Sequence, residues 1–320
     1  MHIQSSLEDN KLERRLAWLR RITGLSKHIS KRRISRFCNR AFYLGRDPAT
    51  SLKLLAPYHR GLLLHIDTNS WLERWILNQD YYEPELVDFL ERCLKPGMVA
   101  FDVGANIGCH TLVMANAVAA NGRVFAFEPN PAIHQRLRAN ITLNRFAQVE
   151  ALPLCLSDHA SEETLFAPYE NEYNQGLASM HRGNLGPRCQ EITVASVTLD
   201  DFVGERGLQR LDLLKVDVEG HEFQVLAGAR HVLRQFRPVL VLEFSERQWA
   251  NAGVRPEQVE DYLAGLGYEL YVLRATFTTS IAHGLSEECN LVAVPKPQDQ
   301  PLQRLEARAP AREAEAVTAV

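Results

Sequence analysis

Asp102-Val-Gly-Ala-Asn-Ile-Gly108, followed twenty residues later by Glu128, has the residue types and spacing to hold a nucleoside. Met98 to Phe101 form a short apolar run behind the Pro96-Gly97 turn, and helical periodicity starts near Cys109, so the loop joins a strand to a helix. Such a junction is where an open α/β sheet parts for a ligand. Gly104 and Gly108 are expected to let the backbone approach that ligand, while Glu128, ending a strand from Arg123 to Phe127, could accept both ribose hydroxyls.

The departures from a dinucleotide loop are informative. A pyrophosphate site takes G-x-G-x-x-G at a helix N-terminus, without an acid ahead of it to repel phosphate. Here the central glycine is missing and Asp102 stands two residues before Gly104. An acid there suits a cationic ligand, and S-adenosylmethionine carries both an amino group and a sulfonium. A nicotinamide-dependent oxidoreductase using the same crevice stays open as an alternative.

Five segments carry a resemblance to a known family: Tyr82-Glu83-Pro84, Asp102 to Gly108, Ala126 to Asn130, Lys215 to Glu222, and Pro238 to Glu243. In this order, over residues 80–295, the chain resembles the FkbM family of S-adenosylmethionine-dependent methyltransferases. The resemblance implies S-adenosyl-L-methionine as cofactor, Asn106 as a ligand contact and Glu83 at the amino-acid end of the cofactor. Asp102 is expected to stabilise the methionine moiety, directly or through the loop amides, and Ser157 and Asp158 to meet the adenine edge. Each also has a plainer reading as a turn or capping residue.

Asp217, Glu219 and His221 are the candidate catalytic residues. Methyl transfer to oxygen needs donor and acceptor aligned and a proton removed. Asp217 ends a compact strand opposite the glycine loop, and His221 has an ordinary pKa suited to a base, although no orienting partner is visible. Glu219 and Glu222 could equally serve a helix N-terminus. Asp217, Glu219 and Glu243 could offer oxygen ligands, but no metal is expected. The Asn-Pro-Pro-aromatic signature of base-amino methylation is missing, so a hydroxyl on a sugar, glycan, glycolipid or polyketide-like metabolite is the expected acceptor.

The elements that must position these residues alternate. Strands are expected at Arg123–Phe127, Gln148–Leu156, Leu211–Val216, Pro238–Phe244, Tyr268–Leu273 and Asn290–Val294, with helices at 131–143, 198–204, 222–236 and 256–266. This predicts a doubly wound, mainly parallel, seven-stranded Rossmann-like methyltransferase sheet with an antiparallel C-terminal edge hairpin. The methyltransferase domain is placed at 81–296, with 161–197 an inserted hairpin and acceptor lid, 1–80 a basic helical N-terminal extension, and 297–320 a disordered tail.

Charge and composition set the remaining bounds. Residues 1–50 hold 12 Lys or Arg against 4 Asp or Glu, a net +8, and the rest of the chain carries −11. This basic segment could lie on an anionic membrane, or simply pack on the core with a solvated face. A noncatalytic protein docking through it is a third functional alternative. Aromatic interleaving of the RNA-platform type is missing, which argues against nucleic acid. No apolar run approaches a membrane span, no signal-peptide core is visible, and six dispersed cysteines show no metal or redox spacing, so a cytoplasmic protein is expected.

Overall fold

The computed structural model describes residues 53–296 except 69, 80, 170–175, 275–277 and 280–287. The basic segment 1–50 and the tail 297–320 lie outside the described residues. Strands β1 (Lys53–Tyr58) and β2 (Leu62–Asp67) form an antiparallel hairpin, with Arg60 and Gly61 both at positive φ in its turn. Helix α1 (Trp71–Gln79) and helix α2 (Pro84–Cys93) follow. Residues 53–67 thus depart from the helical extension expected for 1–80. Their apolar positions alternate, burying Tyr58, Leu62, Leu64 and Ile66 in a core shared with α2, which a strand does and a helix would not. The expected boundary at 80 also falls inside this shared core.

The central sheet collects β3 (Val99–Val103), β4 (Arg123–Phe127) and β5 (Val149–Leu152), which surround helices α3 (Cys109–Val118) and α4 (Pro131–Leu143) in sequence. An inserted region adds β6 (Cys155–Leu156), β7 (Ser161–Ala167) and β8 (Gln190–Val197). Then come α5 (Leu199–Glu205), β9 (Leu213–Val216), α6 (Glu222–Ala227), α7 (Arg230–Phe236) and β10 (Val239–Phe244). Helices α8 (Glu246–Asn251) and α9 (Pro256–Gly265) precede β11 (Tyr268–Val272), the two-residue β12 (Thr278–Thr279) and β13 (Cys289–Pro295).

Seven strands lie in the order β5-β4-β3-β9-β10-β13-β11, and β12 extends the β11 edge. The first five are mutually parallel, whereas β13 runs antiparallel to both β10 and β11. The expected C-terminal hairpin is present, with its last strand inserted between β10 and β11. The expected third strand, 148–156, instead divides at Pro153, which has no N–H to give to a ladder. Its second part, β6, leaves the main sheet and pairs in parallel with β8, which also pairs with β7. The insertion is therefore a small three-stranded sheet rooted beside the strand ends.

Side-chain alternation in the strands divides the core between two faces. Ala100, Val124, Ala126, Leu213 and Val241 meet α2, α3 and α4 on one. Phe101, Phe125, Phe127, Leu214 and Leu242 meet α5, α6, α7 and α9 on the other. The hairpin is tied to α4 by Asn140 and Asn144, which accept from His65 N at 2.8 Å and Leu63 N at 2.9 Å. These asparagines are four residues apart and share a helix face.

On the second face Phe202 packs edge-on against three phenylalanines of β3 and β4, at centroid separations of 5.8 Å (Phe101), 5.6 Å (Phe125) and 5.0 Å (Phe127). Thr198 starts this helix, its Oγ1 accepting from Asp201 N at 3.0 Å. Phe202→Ala removes a ring that nothing else fills, so stability should fall by about 3–5 kcal/mol, the usual cost of emptying such a site. Denaturant unfolding measures this, and a loss under about 1 kcal/mol would contradict the packing described.

Candidate active site

Strand register assembles the polar groups. Asp102 of β3 and Lys215 of β9 are register partners on parallel neighbours, so both side chains leave the sheet on the same side. Lys215 Nζ lies 3.2 Å from Asp102 Oδ1 and 3.1 Å from Asp217 Oδ2. Glu243, one residue beyond the β9–β10 pairing of Leu242 with Val216, brings a third acid to the row, and β13 sets Asn290 opposite it. Asn290 Nδ2 donates to Glu83 Oε1 at 2.8 Å, which fixes the residue before α2 at the same end of the sheet.

These strand ends form one wall of a cleft with about 1220 Å³ of empty space, including its open mouth. Gly104, Asn106, Glu128, Asp217, Glu219 and His221 all line it. Gly104 has φ +77, and a Cβ there would stand 1.7 Å from the carbonyl oxygen of Asp217. Close approach to the neighbouring strand end therefore demands a glycine here. Gly108, at φ +99, begins α3 and faces Leu137, outside the cleft lining. Gly104 thus meets a packing demand while also lining the cleft, and Gly108 meets one against Leu137.

Glu128 is almost wholly buried and clamps the loop. Its Oε2 accepts from Asn106 N at 3.0 Å and its Oε1 from Asn130 N at 2.9 Å. Burial pushes its pKa up to about 7 against the pull of those two amides. Asn106, itself at φ 50, donates from Nδ2 to Gly176 O at 3.3 Å and so touches the inserted region. Residues 176–180 of that region line the cleft. Ser179 Oγ and Asn184 Nδ2 donate to Glu219 O at 2.7 and 2.6 Å, tying the insertion to the loop after β9.

The remaining expected residues are placed unevenly. Asp102 is fully buried beneath the cleft, where Thr111 Oγ1 donates to its Oδ2 at 2.6 Å. It does not line the cleft, and Lys215, which does, lies between them. Ser157 is buried with its Oγ 3.0 Å from His221 Nε2, and Asp158 is exposed and bonded to His159. Neither lines the cleft. His221 does have orienting partners: Nδ1 lies 3.3 Å from His181 Nε2, and burial lowers its pKa to about 4. With both ring nitrogens engaged, it is a poorer base than the ordinary value suggested.

Lys215, His110 and Glu243 are the site residues that sequence reasoning passed over or set aside. The signal for Lys215 was a lone charge inside Leu-Leu-Lys-Val, a strand buried on both faces, where a charge persists only when paired. Burial favours its neutral amine, but Asp102 and Asp217 override this and hold its pKa above the ordinary lysine value. Burial likewise opposes ionisation of Asp217, and Lys215 outweighs it, keeping Asp217 below the ordinary aspartate value. Burial lifts Glu83 to about 7 and Glu219 to about 8, with Asp217 adding to both. His110, 3.4 Å from Glu83, is lowered to about 4 by burial and then by Lys215.

The sequence pattern of the methyltransferase FkbM domain matches residues 102–270, more than half of the chain. The chain belongs to the FkbM methyltransferase family. FkbM relatives include the AMB antimetabolite synthetase AmbE of Pseudomonas aeruginosa, 31% identical over 67% of this chain and 11% of that protein. The 31-O-demethyl-FK506 methyltransferase FkbM of Streptomyces tacrolimicus is 33% identical over 44% of this chain and 65% of its own length. The hexuronic acid methyltransferase AglP of Haloferax volcanii is 28% identical over 60% and 72%. The chain thus spans less than two thirds of the first two relatives. FkbM membership does not favour the oxidoreductase and noncatalytic readings, and no described helix is long and apolar enough to cross a membrane.

The raised acids make stability depend on pH. Glu83, Glu128 and Glu222 near 7 and Glu219 near 8 keep protons in the folded state that an unfolded chain, with carboxyls near 4.5, has released. That stabilisation is complete below the unfolded value and is lost as pH rises through the folded values. His110 and His221 oppose the trend only below their ordinary value of 6.5. Ligand-free protein should therefore melt at lower temperature as pH rises from 6.5 to about 8.5. Glu83→Gln, which keeps the acceptor for Asn290, should flatten part of that slope. A Tm that is level or rises across this window would refute the assignment.

Proposed function

We propose that this protein is an S-adenosylmethionine-dependent O-methyltransferase acting on a hydroxyl of a sugar, glycan, glycolipid or polyketide-like metabolite. The observation that carries the reading is Glu128, an acid at the end of β4 held in the cleft wall by the loop it faces. Each of its oxygens accepts one backbone amide, and a carboxylate has about four acceptor positions, so capacity is left for a ribose diol. Leu154 and Leu156 give the same cleft an apolar wall for a base, and Asp217, kept ionised by Lys215, gives it negative charge. This donor set fits a cationic nucleoside better than a phosphorylated one.

When bound, the cofactor supplies a methyl group already activated by its sulfonium. The chain's own residues then have three tasks. Glu128 and Asn106 hold the nucleoside end, and Glu83 and Asp217 favour the charged end. Asp102, beneath the cleft, positions Asp217 through Lys215. The insertion, through residues 176–180, covers the cleft and restricts water at the reacting centre.

Proton removal falls to the acids of the strand ends. Glu219, near 8, is matched to accepting a hydroxyl proton around neutral pH, whereas His221 near 4 is a weak acceptor. Asp217 and Glu219 are therefore the favoured catalytic pair, with His221 in a supporting place. Two relatives are named for a 31-O-demethyl substrate and for hexuronic acid, which supports an oxygen acceptor. Calorimetric titration tests the cofactor site: wild type should bind S-adenosylmethionine, and Glu128→Ala should weaken it by about 10- to 100-fold, the loss of hydrogen bonds to a charged group. Unchanged affinity would sink the ribose assignment.

A further inference from the structure

Glu222, which is buried, and Glu243, which is half-buried, are carboxyls that the fold treats differently. Glu222 Oε1 accepts from Val218 N at 2.9 Å and Gly220 N at 3.3 Å, and its Oε2 accepts from Trp249 Nε1 at 2.9 Å. Protein donors satisfy both its oxygens. Glu243 Oε2 has essentially no exposed surface and no hydrogen-bond partner among the described residues. Native folds rarely leave a buried polar atom in that state unless an ion or water partners it.

The orphaned carboxyl belongs to a group. Glu243, Asp217 and Glu219 each offer a carboxylate oxygen, and these three lie within 4.8 Å of one another in the cleft wall. We propose that Asp217, Glu219 and Glu243 bind one hard divalent cation, of the Mg²⁺ or Mn²⁺ kind, in the floor of the cleft. An all-oxygen donor set selects this class over zinc, which prefers nitrogen and sulfur. Three protein ligands leave coordination positions for water or for the acceptor's own hydroxyls.

Charge on the surrounding elements points the same way. Glu83, Glu219, Glu222 and Glu243 crowd the strand ends, and the cation among them, Lys215, is already shared by Asp102 and Asp217. Gln248 Nε2 donates to Glu219 Oε2, which fixes that carboxyl's direction. A divalent ion would offset the mutual repulsion of carboxylates held this close. The rival arrangement is a proton shared between Asp217 and Glu243, which face each other closely.

A role in lowering the pKa of an acceptor hydroxyl rests on the O-methyltransferase reading; binding of the ion does not. The experiment is accordingly run on the purified full chain without cofactor or acceptor. Mn²⁺ is titrated in and its free six-line paramagnetic resonance signal is followed. The signal should be suppressed to about one ion per chain, and Mg²⁺ should restore it by competition. Glu243→Gln and, separately, Glu219→Gln should weaken binding by about tenfold or more with unchanged circular dichroism. An undiminished Mn²⁺ signal, or wild-type affinity in both variants, would overturn the site in favour of the shared proton. Failure of the methyltransferase reading would register separately, as absence of S-adenosylmethionine binding.

Discussion

Lys215 is the charge around which the site is arranged. A lysine in the middle of a parallel sheet is tolerated only because Asp102 from β3 and Asp217 two residues along its own strand meet its ammonium. Removing the ammonium alone would leave Asp102 buried and uncompensated, a situation that costs about 3–5 kcal/mol in comparable pairs. The pair is therefore a requirement of this packing rather than a source of net stability. It also sets the electrostatics above it: Asp217 stays ionised because Lys215 is near, and the acids further from Lys215 are pushed toward protonation.

The same constraint explains the glycine loop. For Asp217 to reach the ammonium, the chain leaving β9 must pass directly against the chain leaving β3. The only residue that fits is one without a side chain, and Gly104 stands where a Cβ would penetrate the Asp217 carbonyl. Glu128 then closes the loop from the opposite side by accepting from Asn106 N. The crevice is thus built by three neighbouring strand ends interlocking, and its ligand-facing residues are those the interlock leaves over. That is why Gly108 and Asp102, which belong to the loop pattern, do not face the cleft.

Much of this was legible from the chain. Alternating strand and helix periodicity gave the doubly wound sheet, and the positions of Gly104, Glu128 and Asp217 placed the crevice at the correct strand ends. The misses have physical causes. Pro153 splits an apolar run that reads as one strand, because period alone does not register a lost N–H. Residues 53–67 were grouped with a basic helical stretch although their alternation of buried positions is that of a hairpin. The His221 pKa could not be read, since it depends on burial and on His181, forty residues away. Ser157 and Asp158 follow β6, whose Cys155 and Leu156 line the cleft, but Ser157 turns inward to His221 and Asp158 outward to His159.

The insertion completes the argument because it is not merely attached to the sheet. β6 pairs with β8, so the insertion grows from the stretch after β5, next to Glu128. Its residues 176–184 then return to the loop after β9, where Ser179 and Asn184 hold the carbonyl of Glu219, a non-glycine residue at φ 54. A left-handed conformation of this kind persists only when its surroundings impose it. The contacts that set residues 176–180 in the cleft wall are thus the ones that hold Glu219 beside the other acids. The lining supplied by the insertion and the acidic floor are consequently one structural condition: a change that loosened residues 176–184 would also free Glu219 from its place beside Asp217 and Glu243.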